Sequence, residues 1–286
     1  ACLPARGLFF CANFAVSCYT TPMRTHGFSL VELSIVLVIL GLLTGGILAG
    51  QNLIRAAELR AVSTEYNKWI SAANTFRDKY FQLPGDFTRA HEFWASAGGS
   101  GVIGDGCETA SGSTTQTCSG DGNGRLSQAT GSGQYAEIFT FWQHLSLAGM
   151  IDGSYTGKNG ASTFNYDTVL GQNAPRSKIN NAGWGITIDF DGAPSTHYFP
   201  NLYDSPMSIG GDAPDEYVRQ PIFLPEEAWN IDTKMDDGRP GTGFLNTTRS
   251  TSPLGTGCAT TDVPATAEYS LSNSAVACQL IFNTGL

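Results

Sequence analysis

Three groups of residues in this chain have the types and spacing to do chemistry. The first is a junction. Met23-Arg-Thr-His-Gly27 is short and basic, Phe28 follows it, and a single acid, Glu32, stands five positions past the glycine. No other charge occurs from Phe28 to Ala49. An ordinary secretory leader is cut after its apolar core. Cleavage after Gly27 would instead leave the apolar segment on the product. The second group is a pair of acidic, glycine-rich strings, Gly120-Asp-Gly-Asn-Gly-Arg125 and Asp232-Thr-Lys-Met-Asp-Asp-Gly-Arg-Pro-Gly-Thr-Gly243. Asp121, Asn123, Asp232, Asp236 and Asp237 offer the hard oxygen ligands that calcium takes on a tightly turning backbone. The twelfth position from Asp121 is Ser132 rather than glutamate, which rejects an EF-hand, and ordinary Asp-Gly turns account for both strings equally well. The third group is Cys107, Cys118, Cys258 and Cys278.

None of these four cysteines shows C-x-x-C spacing, so disulfides are expected rather than zinc or thioredoxin-like chemistry. Four cysteines allow three pairings, of which the local one is Cys107–Cys118 with Cys258–Cys278. Each such bridge would contribute roughly 3 kcal/mol in the chain-entropy account. Disulfides require an oxidising compartment, which argues for export. Other chemistry finds little support. Gly99-Ser-Gly-Val-Ile-Gly104 satisfies G-x-G-x-x-G but lacks the strand before it and the helix after it. His91, His144 and His197 are widely spaced, and no nucleophile has an identifiable base. Glu226-Glu227 and Asp236-Asp237 read as solvated or capping acids. No active site is expected.

The elements that must position these groups follow from periodicity. Phe28 to Ala49 would span about 33 Å as a helix, enough to cross a bilayer core. Glu32 inside that stretch costs on the order of 3 kcal/mol if charged and unpaired, so it calls for a cationic partner. From Gln51 to Tyr80 there is neither proline nor glycine, and Val62, Tyr66, Trp69, Ile70, Ala73, Phe76 and Tyr80 mark one helical face. Arg60, Glu65, Lys68, Arg77 and Lys79 fill the other positions. Leu83-Pro84-Gly85 ends the helix. Gly41, Gly45, Gly46 and Gly50 allow either local unwinding or close helix packing. Beyond Pro84, residues 96–133 read as a loop rich in glycine, serine and threonine. A packed helix is expected around Tyr135 to Met150 and a short one at Glu226 to Ile231. Strands are expected at Trp184 to Phe190, Tyr269 to Leu271 and Ala277 to Phe282, and more weakly at His197 to Tyr203.

The chain has 286 residues, 34 glycines and a net charge of −9. Residues 91–286 hold 8 Lys+Arg against 20 Asp+Glu, a difference of −12. That balance argues against a nucleic-acid partner, since such affinity rests on clustered cations.

The Gly27–Phe28 junction, the lone Glu32 and the apolar run resemble the prepilin processing site of type IV pilins and of the pseudopilins of type II secretion systems. The resemblance is specific over residues 23 to about 60 and architectural beyond. It implies a prepilin peptidase that cuts after Gly27 and methylates Phe28, and a Glu32 that pairs with the Phe28 amine of a neighbouring subunit. It implies an α+β, pilin-like fold in which a long N-terminal helix, transmembrane in its first half, packs on a small antiparallel head with disulfide-stapled loops. The expected divisions are a leader at 1–27, a helix at 28–83 with its membrane part at 28–49, and a head at 84–286. Residues 1–22 are read as an upstream extension, with a long native leader as the alternative. The expected partners are other pilins or pseudopilins, prepilin peptidase, an inner-membrane assembly platform and membrane lipid. The expected place is the inner membrane with a periplasmic head, then a periplasmic pseudopilus or a surface pilus. No cofactor is expected beyond calcium, because some major pseudopilins carry a calcium loop near the C-terminus that Asp232, Asp236 and Asp237 loosely match. At 259 residues after cleavage (286 minus 27), a minor pilin or a pseudopilin suits the size. A filament-tip binding module for adhesion or DNA uptake is the rival reading.

Overall fold

The computed structural model describes residues 29–129, 131–161, 165–187, 197–199 and 205–286. Within them the chain is α+β, with four α-helices, four strands and two disulfides among the described residues. It divides into two units, 1–51 and Asn52–Leu286. Helix α1, Leu30–Tyr80, crosses that division. The second unit therefore takes in the later part of α1 together with everything after Pro84.

In the first unit α1 runs through Gly41, Gly45 and Gly46 without a break, and its side chains from Leu30 to Leu48 are exposed. By length and composition this is a helix able to cross a membrane.

In the second unit α1 buries Ala61, Val62, Tyr66, Trp69, Ala72, Ala73 and Phe76, the apolar face that the three-and-four spacing marks. Tyr66 stacks on Phe282 with ring centroids 4.4 Å apart, and Trp69 meets Trp142 edge to face at 5.5 Å. Trp142 belongs to α3, Glu137–Leu147. That helix stops at Gly149, whose φ of +69° favours glycine. A short α2 spans Ala90–Trp94, and α4 spans Pro225–Met235 with proline in its first turn.

The strands β1 (Ala182–Ile186), β2 (Met207–Gly211), β3 (Leu245–Thr247) and β4 (Leu280–Phe282) form one antiparallel sheet in the order β1-β2-β4-β3. Trp184 pairs with Ile209, while Met207 and Leu245 both pair with Phe282. The expected strand at 184–190 thus ends at Ile186, and 188–190 lie outside the described residues. Of the expected strand at 197–203, Tyr198 makes a single bridge to Thr248, and 200–203 lie outside the described residues. Tyr269 likewise only bridges Ala259, so 269–271 is not a strand. Strand β2 was not legible because its short run holds Gly210 and Gly211, which sequence patterning assigns to a turn.

Cys107 and Cys118 are joined, as are Cys258 and Cys278. The first bridge lies with Tyr135 in a small satellite core, and the second lies in the main core.

Candidate functional site

Gly27 and Phe28 lie outside the described residues. Glu32 lies in the first turn of α1, where its carboxylate accepts a hydrogen bond from Ser29 N at 2.8 Å. Ser29 Oγ in turn accepts one from Val31 N at 3.2 Å. This reciprocal arrangement satisfies amides that the first helical turn leaves open, and it places negative charge at the positive end of the helix dipole. Ser29 was missed in the sequence, although S-x-x-E before an apolar run is a readable signal. Glu32 therefore has a local partner within one chain.

Two groups of carboxylates converge in the head. Asp121 and Asn123, suggested by the same string, meet side by side in its turn. Asn123 is exposed, donates its amide to Asp121 Oδ2 at 2.8 Å and accepts from Arg125 N, so it shapes the turn. The acids beside Asp121 are Asp86 and Glu137, with oxygens within 4.8 Å of one another. Asp86 accepts from Gly122 N and from Gly124 N at 2.7 Å. Glu137 accepts from Asp121 N at 2.9 Å and Ser127 N at 2.8 Å. Burial raises the Glu137 carboxyl to about 7, against the hydrogen bonds that act the other way. No local signal joins these residues, because 35 positions separate Asp86 from Asp121.

The second group is Asp232, Asp236 and Asp237, also within 4.8 Å. Asp232 is buried on α4, accepts from Tyr269 Oη at 2.8 Å and Gly238 N at 3.1 Å, and is pushed up to about 7 by burial. Asp236 accepts from Leu245 N, and Asp237 from Thr242 Oγ1 and Arg239 N. Both groups offer the hard oxygens that suit calcium. Three carboxylates supply about half of its usual 6–8 ligand oxygens. Asp86, Glu137 and Asp232 already serve donors of their own chain.

Three further groups hold the parts together. Glu65, expected on the polar side of α1, is buried and accepts from Trp184 Nε1 at 2.8 Å, Ser177 Oγ at 2.7 Å and Lys178 N at 2.9 Å. The reversal arises because the head brings three donors to one point on the helix. Arg55 forks onto Glu227 at 2.6 and 2.7 Å and donates to Ile222 O at 2.9 Å. Glu227 also accepts from Leu224 N, capping α4. His144 is fully buried, as its packed helix suggests. Its Nδ1 accepts from Gly85 N at 3.0 Å, which leaves the proton on Nε2 facing Thr117 Oγ1. Burial holds this imidazole down at about 3, so it is neutral and structural. Gly85 has a φ of +91°, and a Cβ there would lie 2.5 Å from Glu137 O.

Comparison with known proteins gives one family match: the prokaryotic N-terminal methylation motif, over residues 22–48. Neither the curated proteins nor the solved structures include a significant match to the chain. The matched span covers the Gly27–Phe28 junction, Glu32 and most of the apolar run. The chain carries a prokaryotic N-terminal methylation motif, the feature on which its resemblance to type IV pilins and pseudopilins rests.

Proposed function

We propose that this chain is a minor subunit of a type IV pilus or a type II secretion pseudopilus. On this reading prepilin peptidase cuts between Gly27 and Phe28, and the apolar part of α1 holds the subunit in the inner membrane. An assembly platform then moves it into a filament with other pilins or pseudopilins. The observation that carries the reading is the methylation motif at 22–48 together with the apolar first part of α1, up to Ala49, whose one acid is Glu32. In the filament Glu32 exchanges its bond to Ser29 N for the Phe28 amine of a neighbour, which neutralises both charges in apolar surroundings. The role is structural, and the acidic head favours no nucleic-acid partner.

The test has two parts. Mass spectrometry of assembled material should find methylated Phe28 as the first residue, and an intact leader there would refute the processing step. Glu32→Ala should insert and fold yet enter filaments at least tenfold less well. Incorporation equal to the parent would remove the pairing role.

Calcium has two candidate places in the head, Asp232 with Asp236 and Asp237, and Asp121 with Asp86 and Glu137. A ligand that binds only the native state raises Tm. A rise at millimolar calcium, reversed by a chelator and abolished by Asp237→Asn or Asp121→Asn, would assign the site. An unchanged Tm would leave both as turns held by their own donors.

A further inference from the structure

Within the second unit, α1 and α4 wall a groove of about 430 Å³. Its apolar lining is Ala56 and Leu59 of α1 with Ile231 of α4, and two cations, Arg60 and Lys234, complete it from the two helices. Both cations are exposed, no acid lines the groove, and neither side chain has a hydrogen bond or ion pair among the described residues. An apolar floor beside two free cations suits a partner that brings carboxylates on a short, partly apolar turn.

The same chain presents such a turn. Asp212-Ala-Pro-Asp215 follows β2, and Asp212, Pro214 and Asp215 are exposed. Neither aspartate carboxylate has a partner among the described residues, and Arg219, close by in sequence, pairs with Glu216. Two carboxylates thus stand on either side of a proline, as two cations stand beside the apolar floor. The turn and the groove lie on opposite flanks of α1. Asp212 N donates to Asn181 O at 3.3 Å, and Lys178 of the same segment lines a cleft with Ile54, Ala57 and Thr64. Those three positions stand roughly 140° round the helix from Ala56, Leu59 and Ser63, at 3.6 residues per turn. One chain's turn cannot fill its own groove, so a contact between the two is heterologous. Each copy then offers its groove to one neighbour and its turn to the next, the arrangement that builds open filaments.

We propose that copies of this chain bind one another in this head-to-tail way. Asp212 and Asp215 of one copy meet Arg60 and Lys234 of the next, with Pro214 against the apolar floor. Such a contact rests on the filament-subunit reading and adds to it that copies stand in runs rather than singly. Exposed ion pairs are individually weak, so the contact is sensitive to salt.

The full chain is solubilised in detergent as an equal mixture of light and heavy-isotope copies. A zero-length carbodiimide then joins any amine and carboxylate in contact. Peptide mass spectrometry should find Lys234 joined to Asp212 or Asp215, with mixed light–heavy pairs marking links between copies. Raising salt from about 0.05 to about 0.5 M should lower the yield of linked dimer about threefold or more. Arg60→Glu keeps both reacting groups and should lower the yield about fivefold or more, because it sets like charges against each other. Reversing all four charges, with Arg60→Glu, Lys234→Glu, Asp212→Lys and Asp215→Lys, should restore the yield, the link then running in the opposite sense. Each variant should keep Tm within about 3 °C, since the altered side chains are exposed and unpartnered. The contact is refuted if no link between copies joins these residues, or if Arg60→Glu leaves the yield unchanged. It is refuted too if the fourfold reversal stays as low as Arg60→Glu. Absence of the link in a chain that enters filaments with methylated Phe28 would remove the contact alone. The link in a chain that never enters filaments would support the contact and remove the filament reading.

Discussion

At the scale of single residues, buried carboxylates decide how the head is held. Glu65 joins α1 to three donors, one of them the indole of the buried Trp184. Replacing it with alanine leaves those donors without an acceptor, a loss of about 3 kcal/mol. Urea unfolding of Glu65→Ala should show a lower midpoint at unchanged slope, with Glu65→Gln between it and the parent. A loss below about 0.5 kcal/mol, the usual range for a surface change, would contradict the burial. Glu137 gives a dependence on pH. Its folded pKa of about 7 exceeds its ordinary 4.5, so between these values the native state holds a proton that the unfolded state has released. The stability this group contributes is full below about 4.5 and is lost as pH rises through 7. Glu137→Gln, which mimics the protonated acid but cannot accept on both sides, should therefore destabilise more at pH 5 than at pH 8. The difference should be about 2–3 kcal/mol. An equal loss at both pH values would refute the raised pKa. His144 works in the opposite sense, since its folded pKa of about 3 lies below 6.5 and its contribution is lost as pH falls through that interval.

At the scale of elements, the helices were more legible than the strands. The long α1 and α3 follow from spacing within contiguous residues, the short helix expected at Glu226 to Ile231 extends to Pro225–Met235 as α4, and the stops at Pro84 and Gly149 follow from backbone chemistry. The sheet was half legible. Trp184 and the segment ending at Phe282 carry the alternation of strands, whereas β2 and β3 are short and their partners lie far away in sequence. Glycines in β1 and β2 obscure the pattern further, yet close packing needs them: a Cβ on Gly183 would overlap Leu170, and one on Gly185 would overlap Val218. The Arg55 fork onto Glu227 shows the same limit. Glu226-Glu227 was readable as a capping pair, but nothing nearby in the chain names the arginine 172 positions away that shares Glu227.

At the scale of the whole molecule, the two disulfides divide the head unequally. Cys107–Cys118 closes a separation of 11 residues in the satellite core, and Cys258–Cys278 closes one of 20 in the main core, beside β4. Each constrains the unfolded chain by about 3 kcal/mol, slightly more for the longer loop. Loss of the second also disturbs packing around the sheet. The Cys258→Ser/Cys278→Ser pair should therefore lower Tm more than Cys107→Ser/Cys118→Ser, and the reverse order would show that the glycine-rich loop, not the sheet, limits stability. The sequence alone determined the methylation motif, the apolar half of α1 and its amphipathic continuation, and it favoured the local pairing of cysteines among three. These depend on neighbours along the chain, where spacing and side-chain type carry the whole physical argument. Tertiary structure decided the strand order, the burial of Glu65 and the meeting of Asp86 and Glu137 at Asp121. Those depend on which distant donors and walls fold against a residue, and no local pattern encodes that.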